Sequence, residues 1–230
     1  YFHSLYYNTK KRQDFLQKIF EKILLEFPIK TLSINMPEWL QALPYEHPII
    51  KVIGIGGTGR RILDEIGKQS PIETIFIDTD LKDIKLSKAI NRVHLSTEKT
   101  NLSKLDISLL TMDYKNEIFH LVNDADLVFI ICNTCGNTSC GVSIAVAEIL
   151  KENNIFTMGI CIKDFYSDNQ EKNNNNKYCI QELFSVTNSL AVISNQRALN
   201  YFDATEPNLK VIAYVNDIEA SAVSSIDKIV

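Results

Sequence analysis

Three spaced glycines, Gly54, Gly56 and Gly59, mark the stretch of this sequence that is best suited to chemistry. An apolar run over residues 49–55 leads directly into them, and a helical pattern of apolar residues follows over 60–67. Glycine adopts positive φ without penalty, and the absence of a Cβ lets a ligand approach the main chain. Amides at the start of the next helix favour an anion. The stretch therefore predicts a strand, a phosphate-binding turn and a helix.

This pattern fits more than one class of nucleotide site. A strand, the spacing GxGxxG and an acid about twenty residues later, here Asp78, also form the dinucleotide-binding fingerprint. The glycines thus predict an α/β nucleotide-binding fold and leave the ligand open.

A second run of small and polar residues, from Asn133 to Gly141, follows the apolar run over 126–132. It leads into a helical pattern over 142–151, as a phosphate-binding loop would. A working phosphate site and a loop that keeps its shape without a ligand are both open at this point.

The elements that would position these loops alternate along the chain. Apolar runs typical of buried strands fall at 49–55, 72–77, 126–132, 155–162 and 189–193, and a short third strand is predicted at 91–95. Helical patterns fall at 60–67, 113–123, 142–151, 178–185 and from 209 onwards. We therefore predict a Rossmann-like three-layer sandwich, an α/β fold with a mainly parallel sheet and helices on both faces. Residues 170–177, with four consecutive asparagines, are interpreted as a solvated loop.

The first part of the chain has a different character. Apolar residues recur at helical spacing over 13–27, and Pro28 ends the pattern, so an amphipathic helix is predicted. Packing on the domain's own core is favoured over contact with a partner or a membrane surface, because Lys and Glu are mixed on the polar side. We predict a helical extension over 1–48 and a nucleotide-binding domain over 49–230. Because the chain begins at Tyr1 without Met, we expect a fragment.

Composition narrows the class of protein. The 230 residues are 45% hydrophobic, enough for one substantial core. Acids exceed bases by four, without a basic stripe, which argues against nucleic acid as the main ligand. No apolar run approaches the roughly 20 residues that span a bilayer, so no transmembrane segment is expected. Five cysteines, an odd number, are typical of reduced thiols and favour a cytoplasmic protein.

Three cysteines lie close together in the sequence, at Cys132, Cys135 and Cys140. A zinc site would need a fourth ligand at suitable spacing, and the sequence offers none, so packing is favoured over metal binding. We also find no nucleophile, base and orienting acid at a recognisable spacing, which argues against a hydrolase of the triad type.

Several blocks of the sequence together resemble one family. ADLVFI, then a small-residue loop with Gly136, Thr138 and Gly141, then VAEIL resembles the strand, signature loop and helix of FtsZ, in the FtsZ/tubulin superfamily. Other blocks follow in the family's order: IKVIGIGGTG at 50–59, FIDTD at 76–80, KDF at 163–165, SLAVISNQRAL at 189–199 and LKVIAYVNDIEASAVSSI at 209–226. This collinear order, over about residues 49–230, is more specific than any single block. The resemblance implies the family's nucleotide-binding domain, ending in its central helix.

The resemblance also implies roles for single residues. The first glycine loop would offer its amides to the diphosphate, and the second loop would wrap the phosphates at the start of a helix. Asp80 would lie near a metal ion and the terminal phosphate, and Asn195 and Arg197 near the sugar. Asn216 and Asp217 would read the base, since a carboxylate accepts from the ring NH and the amine of guanine together. The implied ligand-contacting residues are Gly56, Gly57, Thr58, Gly59, Arg61, Asp80, Gly136, Asn137, Thr138, Gly141, Asn195, Arg197, Asn216 and Asp217.

The sequence departs from the family in the signature loop. Cys135, Asn137 and Ser139 replace glycines, and Cys140 replaces a threonine. If these positions needed left-handed backbone angles, each replacement of a glycine would cost about 1–2 kcal/mol. Arg61 stands where the family usually has Asn, and residues 96–112 lack a glycine-rich third loop.

The favoured hypothesis is a divergent FtsZ-like GTP-binding protein of bacterial cell division or a related filament or membrane-remodelling system. It implies GTP or GDP, with Mg²⁺ accompanying GTP, and self-association or a filament-forming protein partner. Because the chain ends at Val230, inside or just after the central helix, the acidic activating loop and the C-terminal domain are absent from it. This chain alone is therefore expected not to hydrolyse GTP.

Two alternatives stay open. The replacement of glycines in the signature loop favours a pseudo-GTPase, that is, an interaction module that has lost nucleotide binding and modulates a filament. IGGTGRRILDEI followed by FIDTD also resembles the ATP-dependent adenylating enzymes of the ubiquitin-activating type. Binding of ATP without GTP would favour that enzyme.

Overall fold

The computed structural model describes residues 49–99, 101–165, 169–198 and 208–227. The strands in these ranges are β1 Ile50–Ile55, β2 Glu73–Asp78, β3 Asn91–His94, β4 Leu127–Asn133, β5 Phe156–Lys163 and β6 Ser189–Ser194. The helices there are α1 Gly56–Gln69, α2 Leu81–Leu86, α3 Lys104–Asp113, α4 Lys115–Val122, α5 Asn137–Glu152, α6 Gln170–Val186, α7 Asn195–Ala198 and α8 Asn208–Asp227.

The six strands form one sheet in the order β3-β2-β1-β4-β5-β6. Every neighbouring pair is parallel, and Val52 of β1 lies opposite both Thr74 of β2 and Phe129 of β4. β1 and β4 are buried along almost their whole length, as expected for strands covered on both faces. The predicted α/β fold with a mainly parallel sheet is therefore confirmed.

Two apolar cores cover the two faces of the sheet. On one face, α1 and α8 contribute Leu63, Ile66 and Val223 to a core with the side chains of alternate strand positions such as Phe129. On the other face, α3, α4, α5 and α6 pack on the remaining strand positions. The alternation of side chains along each strand thus produces the predicted three layers.

The segment over 170–177 was predicted as a solvated loop, and this prediction is wrong. These residues form the first half of α6. Two of the asparagines have tertiary partners: Thr134 Oγ1 donates to Asn176 Oδ1 at 2.5 Å, and Lys104 Nζ donates to Asn175 Oδ1 at 2.7 Å. Contacts with distant residues therefore override the weak helix propensity of asparagine.

One helix was not predicted, and another begins earlier than the sequence indicated. Lys104–Asp113 forms α3, whose start is closed by a capping box between Ser103 and Asp106. α5 begins at Asn137 rather than at 142, so most of the second small-residue run is the first turn of a helix.

The amphipathic helix predicted over 13–27 lies outside the described residues. The division of the chain at residue 48 therefore stays a prediction. In the part of the chain that the structure describes, no helix is both long and apolar enough to cross a bilayer.

Candidate functional site

A cleft of about 640 Å³ lies at the carboxyl ends of β1 and β4. Between these two strands the order of the sheet reverses, because the chain runs outward to β3 from β1 and outward to β6 from β4. Ligands of open parallel sheets bind at such a switch point. The volume is that of an ordinary small-molecule site.

The first wall of the cleft is the turn between β1 and α1. Gly56 has a φ of +71°, which a residue with a Cβ rarely adopts. Gly59 has a different reason to be glycine, because a Cβ there would lie 2.7 Å from the carbonyl carbon of Gly54. α1 begins without a side-chain cap, so no described side chain occupies the amides of its first turn.

The second wall is the loop after β4, whose shape is held by side chains. Asn133 Nδ2 donates to Asp164 Oδ1 at 3.1 Å, and the Cys135 thiol donates to Asp164 Oδ2 at 2.8 Å. The amide of Cys135 also donates to Asn133 Oδ1 at 2.8 Å. One carboxylate at the end of β5 therefore fixes both residues of the loop. α5, whose N-cap residue is Gly136, likewise has no side-chain cap.

The backbone of this loop does not need glycine. Among the described residues, the non-glycine positions with positive φ are Asn101 and Asn154, neither of which is in the loop. The cost of 1–2 kcal/mol considered for Cys135, Asn137 and Ser139 therefore does not arise. These side chains replace glycine without backbone strain.

Ser139 lies between the two walls. Its hydroxyl accepts from the amide of Asn133 at 3.0 Å and donates to the carbonyl of Ile55 at 3.5 Å. A Cβ built on Gly56 would lie 3.5 Å from the Ser139 Cβ. This serine therefore links the ends of β1 and β4 and narrows the space between the two loops.

The ionisable groups of the cleft differ in their environment. Asp78 is buried, and its Oδ1 accepts from the amides of Thr79 and Asp80 at 2.6 and 3.1 Å. Burial raises the pKa of Asp78, and the negative charge of the nearby Asp83 raises it further, whereas the two hydrogen bonds act to lower it. Burial and the hydrogen bond to Asp164 raise the pKa of Cys135 to about 12. This thiol is therefore not a nucleophile at neutral pH.

Half of the residues proposed from the sequence line the cleft. They are Gly56, Gly57, Thr58, Arg61, Gly136, Asn137 and Thr138. Three others support the surrounding structure: Gly59 lets α1 pack on β1, Asp80 caps α2 by accepting from the amide of Lys82 at 2.7 Å, and Gly141 lets α5 pack on α3. A Cβ on Gly141 would lie 2.5 Å from the carbonyl oxygen of Lys104.

The residues proposed for the sugar and the base do not line this cleft. Asn195, at the carboxyl end of β6, is 2% exposed, and its Oδ1 accepts no hydrogen bond from any described residue. Asn216 is buried and Asp217 is exposed on α8, the helix that packs against α1. The side chain of Arg197 is not among the described ones. The Oδ1 atom of Asn195 is therefore an acceptor outside the cleft to which no described residue donates.

The ligand contacts proposed from the sequence leave out six polar residues that line the cleft, namely Asp78, Asn133, Ser139, Asn169, Lys172 and Asn175. Lys172 and Asn175 lie three apart on α6, so they share one face of that helix. The spacing of these two residues is visible in the sequence, but it places them on one face only once the segment is known to be helical.

The five cysteines all lie within the described ranges, and none of them forms a disulfide there. Cys132 and Cys161 lie in register on β4 and β5 with their sulfurs 3.6 Å apart, and Cys140 and Cys179 are buried on the same side of the sheet. Over the described ranges, no three His, Cys, Asp or Glu residues are placed to hold a metal ion. These four thiols pack in the core.

Comparison with known proteins gives one family match. The model of the Tubulin/FtsZ family, GTPase domain, matches residues 49–203, more than half of the chain. The chain is 27% identical over 195 residues to the mitochondrial division protein fszB of Dictyostelium discoideum, covering 80% of this chain and 52% of that protein. The chain therefore spans about half the length of this curated relative.

Solved structures share the fold. An empty FtsZ dimer from M. jannaschii has a TM-score of 0.71 at 22% identity, over 83% of this chain and 57% of that one. A protofilament of CetZ2 from Haloferax volcanii with bound GTPγS has a TM-score of 0.67 at 13% identity, over 76% of this chain and 57% of that one.

Proposed function

Because this chain belongs to the Tubulin/FtsZ family, GTPase domain, we propose that its cleft binds a guanine nucleotide and that it serves a division system built on filaments. One observation carries the first part of this proposal. Two helices, α1 and α5, begin without side-chain caps at a single cleft at the switch point of the sheet. Their free amides and their dipoles both favour a bound phosphate.

The described residues fit a nucleotide. The positive φ of Gly56 turns the main chain so that the ligand can approach it without meeting a Cβ. Arg61 and Lys172 supply positive charge. No described residue donates to the buried Asn195 Oδ1. A buried acceptor without a partner costs about 1–3 kcal/mol, so a sugar hydroxyl or a base NH would relieve that cost.

Each group has a role in holding the ligand. The amides of Gly56 and Gly57 and those of the first turn of α5 would donate to the phosphate oxygens. Mg²⁺, when bound with GTP, would neutralise phosphate charge, and Asp80 lies on the loop after β2 where that ion is expected. Asp217 would select guanine by accepting from its ring NH and its amine, a donor pair that adenine lacks.

Nucleotide titration tests this proposal. We expect labelled GDP to bind the purified chain more tightly than labelled ADP, and Asp217→Ala to remove that preference. Asp113→Ala, which removes an exposed acid from α3, is the matched control and should keep it. If ADP binds the wild-type chain as tightly as GDP, guanine selection is wrong. An unchanged preference in Asp217→Ala would remove this residue from the site.

A filament system is the second part of the proposal. The relative from Dictyostelium carries mitochondrial division in its name, and the CetZ2 neighbour is a protofilament. These names favour a related division system over bacterial cell division alone, with self-association or a filament-forming partner. Sedimentation of the chain with GTP or GDP tests self-association, and a nucleotide-dependent pellet is expected.

One observation favours a second candidate, an interaction module that has lost the nucleotide. Ser139 places a side chain between the two loops, where it narrows the cleft. On this alternative the hydrogen bonds of Ser139 replace those of a phosphate. The same titration separates the two candidates, because the interaction module binds neither GDP nor ADP.

A further inference from the structure

Two positively charged side chains reach the cleft from the two opposite layers of the fold. Arg61 is on α1, which covers one face of the sheet, and Lys172 is on α6, which covers the other. Over the described ranges, neither forms an ion pair with a carboxylate. Both charges are therefore available to a ligand in the cleft.

The contacts of Arg61 place its guanidinium beside the first loop. Its Nη2 lies 3.4 Å from Thr58 Oγ1, another group that lines the cleft. This long contact between an exposed side chain and a hydroxyl is weak and can be exchanged for a phosphate oxygen. Lys172 lies near the second loop, since its charge acts to lower the pKa of Cys135. The two cations thus stand beside the two loops.

The neighbouring Arg60, on the same helix, has a structural role because its guanidinium binds carboxylates. Its Nε donates to Asp83 Oδ1 at 3.1 Å and its Nη1 to Asp64 Oδ2 at 3.4 Å. Its side chain is 20% exposed, and it joins α1 to α2. Arg60 therefore has its own carboxylate partners, whereas Arg61 has none among the described residues.

We propose that Arg61 and Lys172 form a phosphate clamp, in which the guanidinium and the ammonium hold a diphosphate or triphosphate between the two loops. The inference rests on the proposed function and assigns the phosphate end of the ligand to two named charges. A guanidinium presents a planar fork of donors that matches phosphate oxygens, and a lysine acts as a point charge. Asp78 is an acid that lines the same cleft, so the clamp also offsets the repulsion between this carboxylate and the phosphates.

A clamp made of charges has two consequences. Its contribution to affinity does not involve the base of the nucleotide. Removing Arg61 should therefore weaken the binding of inorganic pyrophosphate as it weakens the binding of GDP. It also falls as salt rises, because exposed charges are screened within about 8–10 Å at ordinary ionic strength.

Calorimetric titration with GDP and with inorganic pyrophosphate at low and high salt tests the clamp. We expect Arg61→Gln to weaken the binding of both ligands about tenfold, as for loss of one charge-assisted hydrogen bond, and to reduce the salt dependence. Lys172→Gln should act in the same direction, and Arg61→Lys should restore part of the affinity. The control is Lys85→Gln, which removes one positive charge from an exposed position on α2 and should leave both affinities within about twofold.

The outcomes separate the clamp from the proposed function. If Arg61→Gln binds GDP within about twofold of the wild type, the clamp is wrong and the nucleotide site stands. A loss confined to GDP, with pyrophosphate unaffected, would mean that Arg61 contacts the base and would also overturn the clamp. If the wild-type chain binds neither GDP nor pyrophosphate, both proposals fail. Thermal unfolding of each variant shows whether a loss of binding comes from a loss of fold.

Discussion

The side chain of Asp78 has two roles, because it both stabilises the turn after β2 and lines the cleft. Its Oδ1 holds the turn after β2 through two backbone amides, while its carboxylate lines the cleft. Burial disfavours the charged form and raises the pKa of this group. Such a carboxylate is tolerated because it fixes the turn, although its charge costs stability at neutral pH.

The sign of this effect gives a pH-dependent prediction. A folded-state pKa above the unfolded one contributes stability that is present at low pH and is lost as pH rises through the folded-state value. Asp78→Asn keeps the acceptor oxygen and removes the charge, so we expect this variant to be more stable than the wild type at pH 7. The difference should shrink as pH falls towards about 4, near the ordinary carboxyl value.

Denaturant unfolding of both proteins at pH 7 and at pH 4 measures this prediction. Asp113→Asn, an exposed acid on α3, is the control and should differ little from the wild type at either pH. A variant at Asp78 that is less stable than the wild type at pH 7 would show that the negative charge is needed in the folded protein.

At the scale of the element, α1 depends on glycine for packing as well as for the turn. Its residue Gly59 faces β1 and β4, where a Cβ would lie 2.7 Å from the Gly54 carbonyl carbon and 3.1 Å from the Ile131 carbonyl oxygen. Gly67, in the last turn of the same helix, is exposed, and no atom of a described residue lies within 4 Å of the position that its Cβ would take. One helix therefore contains a required glycine and a dispensable one.

Alanine at these two positions should have opposite effects. Gly59→Ala forces backbone apart and should cost at least about 2 kcal/mol of unfolding free energy, in the range of overpacked cores. Gly67→Ala should gain about 0.5–1 kcal/mol, because alanine has the higher helix propensity. Denaturant midpoints of the two variants measure both effects. Equal destabilisation by both would contradict the packing geometry of α1.

At the scale of the whole molecule, a buried lysine joins parts of the chain that are far apart in sequence. Lys51 on β1 is 4% exposed, and its ammonium lies 3.0 Å from Glu73 Oε2 and 2.7 Å from Asp124 Oδ1. It also donates to the carbonyl of Leu121 at 2.9 Å. One side chain thus connects β1 with β2, with the end of α4 and with the turn before β4. This network lies near the amino ends of the strands, whereas the cleft lies at their carboxyl ends.

We expect Lys51→Ala to lower the unfolding free energy by about 2–3 kcal/mol, because the stem loses its packing and a backbone carbonyl loses its donor. Lys51→Met keeps the stem and should lose less. Lys68→Ala removes a lysine whose partner Glu65 is also on the surface, and it should change stability by less than about 0.5 kcal/mol. Denaturant unfolding of the three variants checks this order. A loss in Lys68→Ala as large as that in Lys51→Ala would contradict it.

The predicted fold was correct because its signals are local. Runs such as Leu127–Asn133 are apolar throughout, which is typical of a strand covered on both faces, and the alternation with helices restricts the topology to a parallel sheet. The turn at Gly56 was also readable, since positive φ after a strand favours glycine. The family resemblance added the expected order of the loops, and the family match confirms the resemblance itself over residues 49–203.

The sequence by itself determined the layers of this protein and the glycine turn, because periodicity and backbone sterics act over a few neighbouring residues. Only the tertiary structure decided that residues 170–177 are helical and that Lys172 faces the cleft from the far layer. It also decided that Asp164, rather than glycine, shapes the second loop. These features depend on contacts between residues that are distant in the chain, and such contacts exist only once the sheet has brought its carboxyl ends together.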